Sequence, residues 1–97
     1  MDHDETCPLF YEVSDFQPAP EHSHCHGLEG FLKLIINGCF VINDVALRRT
    51  REGRPYVRMP YKRVEGGKHY DLAFPISHKE RARLEAQVLA QLVEVDT

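Results

Sequence analysis

The sequence predicts an α+β domain, a small antiparallel sheet of about five strands with one C-terminal helix packed on it. Three features carry that prediction. Phe31–Ile36 and Cys39–Leu47 are apolar, β-branched stretches separated by Asn37-Gly38, the residue pair that best tolerates the positive φ angles of a tight hairpin turn. Pro55–Met59 alternates Val57 and Met59 with Tyr56 and Arg58, which is the period of a two-faced strand. Beyond Pro75, Leu84, Val88, Leu92 and Val95 recur at spacings of four and three, the apolar stripe of an amphipathic helix.

The elements follow in order. Residues 1–9 lack any sustained period and predict a mobile N-terminal segment, leaving 10–97 as a single domain. The first strand is Phe10–Phe16, with Tyr11, Val13 and Phe16 as its apolar members, ending before Pro18. Residues 18–30 are punctuated by Pro18, Pro20 and Gly27 and are rich in His and Cys, which predicts a long exposed loop. The Asn37-Gly38 hairpin comes next, then a turn at Glu52-Gly53 into the Pro55–Met59 strand. Val57 and Met59 should point inward with Val45 and Leu47, and Tyr56 and Arg58 outward with Arg48 and Ala46. Gly66-Gly67 turns the chain into a last strand, Lys68–Phe74, which must stop at Pro75 because proline cannot donate to the ladder. Ser77 and Glu80 have the spacing of a reciprocal helix cap, so the helix starts there, with Leu89 and Ala86 flanking its stripe. The chain carries no internal repeat.

At 97 residues the chain makes one domain that buries roughly 60–65% of its unfolded surface, so a second copy supplying more apolar burial is expected. The richest apolar run, Phe31–Ile36, is broken by Lys33, far short of the ~18 residues a membrane span needs. The acidic start, Met1-Asp2-His3-Asp4-Glu5, is unlike a secretion signal, and a cytoplasmic location is expected. Cys7, Cys25 and Cys39 are an odd number without regular spacing, which argues against a disulfide framework. The net charge of −3 conceals a segregated chain: residues 1–30 hold seven acids and no Lys or Arg, while residues 31–70 hold nine Lys or Arg against three acids. The middle third is a basic module. Its local field, felt over a Debye length of ~8 Å, outweighs the overall sign in attracting a polyanion.

Phe40-Val41-Ile42-Asn43-Asp44-Val45, then Val57-Arg58-Met59-Pro60-Tyr61-Lys62-Arg63, then Asp71-Leu72-Ala73-Phe74-Pro75-Ile76 together resemble the SpoVG family, the stage V sporulation protein G or septation regulators of bacteria. Order and spacing match as well, over roughly residues 11–92. The resemblance implies a SpoVG-like antiparallel sheet with a C-terminal helix, a homodimer formed through the sheet, and binding of DNA or RNA by a basic patch that includes Lys62 and Arg63. Three positions depart from the family pattern: Arg58 where a small residue is usual, Tyr61 where Ser is frequent, and Phe74 where His is frequent.

The residues support the same reading independently. Arg48, Arg49, Arg51, Arg54, Arg58, Lys62, Arg63 and Lys68 are the chemistry a phosphate backbone needs, since each neutralised phosphate releases condensed counterions. Tyr56, Tyr61 and Tyr70 lie among them, and aromatic faces beside cations can stack the bases of a single strand. We take Lys62 and Arg63 as the principal contacts, with Arg58, Lys68, Arg48, Arg49, Arg51 and Tyr61 supporting them. The C-terminal helix opens with Lys79, Arg81 and Arg83 but also carries Glu80 and Glu85, so it is a poor reader of a DNA groove, and backbone-dominated contacts are expected. The same patch would serve a second class of function, a protein-interaction module of the division machinery with an acidic partner and no nucleic acid. Charged strands that merely discourage sheet aggregation are the plainest alternative.

His22, His24, Cys25 and His26 offer four potential metal ligands in five residues. Structural zinc sites, however, draw pairs from two rigid segments, so an unliganded loop without cofactor is expected and zinc is the minority reading. Catalysis is not expected. Cys39 with His69, or His69 with Asp71, are the available pairs; an apolar strand makes Cys39 a small hydrophobe, and positions 69 and 71 share a strand face for geometric reasons alone. Gly66-Gly67 has no helix after it and so is not a phosphate-cradling loop. Neither a membrane nor a small-molecule substrate is expected as partner.

Overall fold

The computed structural model describes residues 9–24 and 26–95. Along the chain come β1 (Tyr11–Pro18), a single helical turn α1 (Glu21–His24), β2 (Leu28–Ile36), β3 (Phe40–Arg49), β4 (Pro55–Arg58), β5 (Tyr61–Arg63), a 3-10 turn at Glu65–Gly67, β6 (His69–Asp71) and α2 (His78–Val95). The first four strands form one antiparallel meander, β1-β2-β3-β4. β5 and β6 form a separate two-stranded ribbon. The fold is α+β as expected, but its six strands divide between two sheets where one sheet of about five was anticipated. Pro60 marks the division: it has no N–H with which to carry β4's ladder onward.

Asn37 and Gly38 both take positive φ, 52° and 67°, and Cys39 N–H donates to the Ile36 carbonyl at 2.9 Å. The hairpin is therefore the one the sequence indicates, except that Cys39 belongs to the turn and is exposed. It is not the small core hydrophobe expected. β1 runs on to Pro18 instead of ending before it, because Asp15 at φ 54° makes a bulge that resets the strand's register. Phe16 then packs against the core, and its ring lies 2.7 Å from where a side chain on Gly30 would start, a position only glycine can hold. The anticipated loop 18–30 is shorter for the same reason: α1 and the first residues of β2 occupy much of it. A second bulge sets Asn43 and Asp44 opposite Lys33, with Asp44 at φ 62°.

One sheet face packs on α2. The core is built from Leu32, Leu34, Val45, Leu47, Val57 and Met59 of the sheet segment against Leu84, Val88 and Leu92 of the helix. The inward residues are those the alternation indicates, and Arg48 and Ala46 sit across from Tyr56 and Arg58 on the outer face. Ala86, expected beside the stripe, faces solvent. The side chain of Val95, the last stripe position, lies outside the described residues. Leu9, expected in a mobile segment, packs against the core, and its carbonyl accepts from Arg83 at 3.0 Å; residues 1–8 lie outside the described residues.

The polar residues flanking the apolar stripe of α2 reach round both edges of the sheet. On the β1 side, Gln87 Oε1 accepts from Tyr11 N–H at 2.8 Å. Gln91 accepts from Val13 N–H and donates to the Tyr11 carbonyl, each at 2.7 Å. On the β4 side, Glu85 accepts from Val57 N–H at 3.1 Å and Arg81 donates to the Val57 carbonyl at 2.6 Å. Free strand edges are templates for unwanted pairing, and these side chains fill them. Ser77 Oγ caps the helix by accepting from Glu80 N–H at 3.1 Å. Glu80 does not complete the reciprocal cap; its carboxylate takes the Tyr11 hydroxyl and the Arg83 guanidinium instead. Burial first, then the hydrogen bond to Glu80 and the Glu80 charge, push the Tyr11 phenol well above its usual range, with Arg83 opposing. The hydroxyl thus remains a donor.

Replacing Gln91 by Ala removes two of these edge bonds. The expected cost is about 1–2 kcal/mol in urea unfolding, accompanied by concentration-dependent association through the uncovered β1 edge. Unchanged stability and an elution like that of wild type at all concentrations would show that the edge bonds contribute nothing.

Candidate nucleic-acid interface

Met59, buried at 2% exposure, anchors the end of β4, and Pro60 turns the chain into the ribbon. Within it Tyr61 pairs with Asp71, Lys62 with Tyr70, and Arg63 with His69. Val64 N–H to the Lys68 carbonyl (2.7 Å) closes one end, and Leu72 N–H to the Pro60 carbonyl (2.8 Å) the other. β6 therefore stops at Asp71, not at Phe74 as anticipated: beyond Pro60 there is no partner strand to continue it. Strand alternation puts Tyr61, Arg63, His69 and Asp71 on one ribbon face and Lys62 and Tyr70 on the other. Adjacent in sequence, Lys62 and Arg63 point to opposite faces. Every residue from Tyr61 to Tyr70 is exposed, and this stretch holds Lys62, Arg63 and Lys68 against Glu65 alone.

Arg58 ties the ribbon to the sheet. Its guanidinium lies 4.6 Å from the Tyr61 ring centre, within cation–π range, and 3.6 Å from the Asp71 carboxylate. Tyr61 in turn takes the His69 ring edge-on, with centroids 4.8 Å apart. Between the ribbon and the outer sheet face lies a cleft of about 240 Å³ lined by Phe31, Ala46, Arg58, Tyr61 and Leu72. Along the ribbon's other border, Arg58, His69, Tyr70, Asp71 and Phe74 bound an open depression of about 550 Å³. The three residues at which the chain departs from the SpoVG pattern, Arg58, Tyr61 and Phe74, thus gather around one structure.

Of the other cations of the basic module, Lys33 pairs with Asp15 across β1 and β2 at 3.7 Å, and the rest stand at the opposite end of β4. Arg48 donates to the His26 carbonyl at 2.8 Å, and Arg49 pairs with Glu29 at 3.4 Å and donates to the Gly53 carbonyl at 2.7 Å. These two arginines hold the α1–β2 connection and the β3–β4 turn in place, while Arg51 and Arg54 are exposed in that turn. The contiguous basic stretch of the sequence therefore becomes two groups, of which only Arg58, Lys62, Arg63 and Lys68 belong to the ribbon. On α2, Arg81 and Arg83 serve the sheet edge and the Tyr11 cluster, leaving Lys79 exposed in the first turn.

His22 and His24 lie in α1, with His24 Nε2 3.2 Å from the Ala19 carbonyl, and His26 is exposed beyond it. Cys25, with His3 and Cys7, lies outside the described residues. Among the described residues no three His, Cys, Asp or Glu side chains gather as a metal site. Cys39 occupies the β2–β3 turn, its thiol donating to the Asn37 carbonyl at 3.2 Å, while His69 sits on the ribbon with Tyr61. The edge-capping roles of Arg81, Glu85, Gln87 and Gln91 were missed in the sequence, although their i, i+4 spacing on either side of the stripe was a usable signal.

The SpoVG family profile matches residues 17–94. The chain belongs to the SpoVG family. Relatives named as SpoVG septation proteins include one from Listeria monocytogenes, 36% identical over 63 residues. Another, from Heliobacterium modesticaldum, is 36% identical over 66 residues, covering 64% of this chain and 73% of the relative. A third, from Phytoplasma australiense, is 26% identical over 68 residues, covering 70% of each. The Listeria match takes in 65% of this chain and 61% of the relative's length. The family match takes in β2 to α2, so the positions of the ribbon lie inside the matched part of the chain. Among the described residues no helix is long and apolar enough to cross a membrane.

Arg58→Ala removes both the ion pair and the ring contact that dock the ribbon, each worth about 0.5–1 kcal/mol when partly exposed. Amide exchange at Tyr61–Arg63 and His69–Asp71 should accelerate several-fold while β2 and β3 keep their protection. Equal exchange in variant and wild type would remove Arg58 from this role.

Proposed function

We propose that this SpoVG-family protein is a nucleic-acid-binding regulator, not a catalyst, acting on DNA or RNA through the ribbon and linked to septation as its named relatives are. The observation that carries the reading is the projecting ribbon itself: a two-stranded element without a core of its own, exposed from Tyr61 to Tyr70, with three cations against Glu65, its other acid, Asp71, being paired with Arg58. Phosphate contacts are made in large part by Lys and Arg side chains within reach of the backbone, and the exposed Lys62, Arg63 and Lys68 suit that role. Arg58 supports them by fixing the ribbon, and Arg51 and Arg54 provide a second basic group at the far end of β4. No metal or cofactor is required by this chemistry. We further propose a homodimer through the outer sheet face, where Phe31 and Val41 are exposed beside Ile35; a two-fold would duplicate the ribbon and raise avidity without new contacts. A cytoplasmic protein fits both proposals.

Fluorescence anisotropy with mixed-sequence RNA and DNA over a salt series tests the reading. Log affinity should fall linearly with log salt, and Lys62→Ala/Arg63→Ala should weaken binding at least about tenfold and make the slope shallower by about two. Thermal melting should be unchanged, since both side chains are exposed. Absence of binding to any polymer would overturn the reading in favour of an acidic protein partner of the division machinery on the same patch.

A further inference from the structure

We infer that the depression between Tyr70 and Phe74 receives an unpaired nucleobase, so that the protein selects single-stranded nucleic acid over duplex; this rests on the nucleic-acid reading above. Tyr70 and Phe74 are 52% and 57% exposed and line the same open depression with His69 and Arg58. Large apolar rings left in water at the rim of a cationic element are costly unless something covers them. Tyr61 is already engaged, its ring taken by Arg58 and His69. Tyr70 projects to the other ribbon face, opposite Lys62 across the ladder.

The charges around the rings select the occupant. Asp71, the one carboxylate lining the depression, faces Arg58 in an ion pair. Lys62 stands opposite Tyr70, and Lys68 precedes β6, so cations flank the rings. A base stacked on a ring, with its phosphates drawn to neighbouring cations, is the recognition unit of proteins that bind single strands. A two-stranded ribbon can also enter a DNA major groove, but reading there uses donors and acceptors aimed at base edges. Tyr70 and Phe74 offer ring faces instead, and in a duplex the base faces are hidden by stacking.

Anisotropy with one labelled oligonucleotide, alone and annealed to its complement, tests this. Tyr70→Ala and Phe74→Ala should each weaken single-strand binding roughly tenfold, leave duplex binding within about twofold, and leave the salt slope of wild type intact. Tyr70→Phe should retain single-strand affinity, because stacking needs the ring and not the hydroxyl. The chain contains no Trp, so Tyr70→Trp makes position 70 the only indole emitter; its fluorescence should be quenched by the single strand and not by the duplex. The inference is overturned, with nucleic-acid binding left standing, if both alanine variants bind the single strand like wild type while Lys62→Ala/Arg63→Ala does not. Equal losses on single strand and duplex would overturn it as well. Failure of the wild type to bind either probe would overturn both readings together.

Discussion

The packing of α2 across the sheet is the constraint on which the rest of the structure depends. Leu84, Val88 and Leu92 join one buried cluster with the inward residues of the sheet, supplying the face of the core that a four-stranded meander cannot provide for itself. On one side of that stripe Gln87 and Gln91 occupy the backbone groups of β1; on the other, Arg81 and Glu85 occupy those of β4. Helix and sheet therefore lock at three lines of contact, one apolar and two polar. The outward backbone groups at Tyr11, Val13 and Val57 are thereby withheld from another strand, and Arg81 and Glu85 of the helix are consumed in the process.

That arrangement decides where function can reside. Two of the three basic side chains that open α2 are spent on the sheet and Arg48 and Arg49 on the turns beside them, which leaves two exposed basic groups, Lys62, Arg63 and Lys68 of β5 and the turn after it, and Arg51 and Arg54 before β4. The ribbon exists as a separate element because Pro60 interrupts the ladder after Met59, and it stays oriented because Arg58 reaches both Tyr61 and Asp71. A short, weakly held ribbon is a poor contributor to stability and a good presenter of side chains, since nothing behind it competes for them. Met59-Pro60-Tyr61-Lys62-Arg63, part of one of the three blocks that carry the resemblance to SpoVG proteins, is the hinge and first strand of this presenting element.

Much of this was legible in the residues. Asn37-Gly38 announced its hairpin because few other pairs tolerate two positive φ angles, and Val57, Met59, Leu84 and Val88 announced the core because alternation and helical period leave little freedom. Bulges were less legible: Asp tolerates positive φ but also stands in ordinary strands and turns, so nothing marked Asp15 as a bulge that carries β1 on to Pro18. Cys39 was misread because an apolar run does not show which of its members the turn will take. The basic patch was legible as composition but not as geometry. Strand alternation separates Lys62 from Arg63, the length of β4 separates both from Arg51, and hydrogen bonds over long sequence separations recruit Arg48, Arg81 and Arg83 to structural work.

The central claim is that a closed sheet leaves the ribbon as the binding element. Backbone amide spectra recorded while a short single-stranded oligonucleotide is titrated into the protein test it directly. The account expects shifts concentrated between Tyr61 and Phe74, with Arg58 following and the buried positions of β2, β3 and α2 still. Shifts centred on α2, or on the Arg48–Arg54 turn with the ribbon silent, would contradict it.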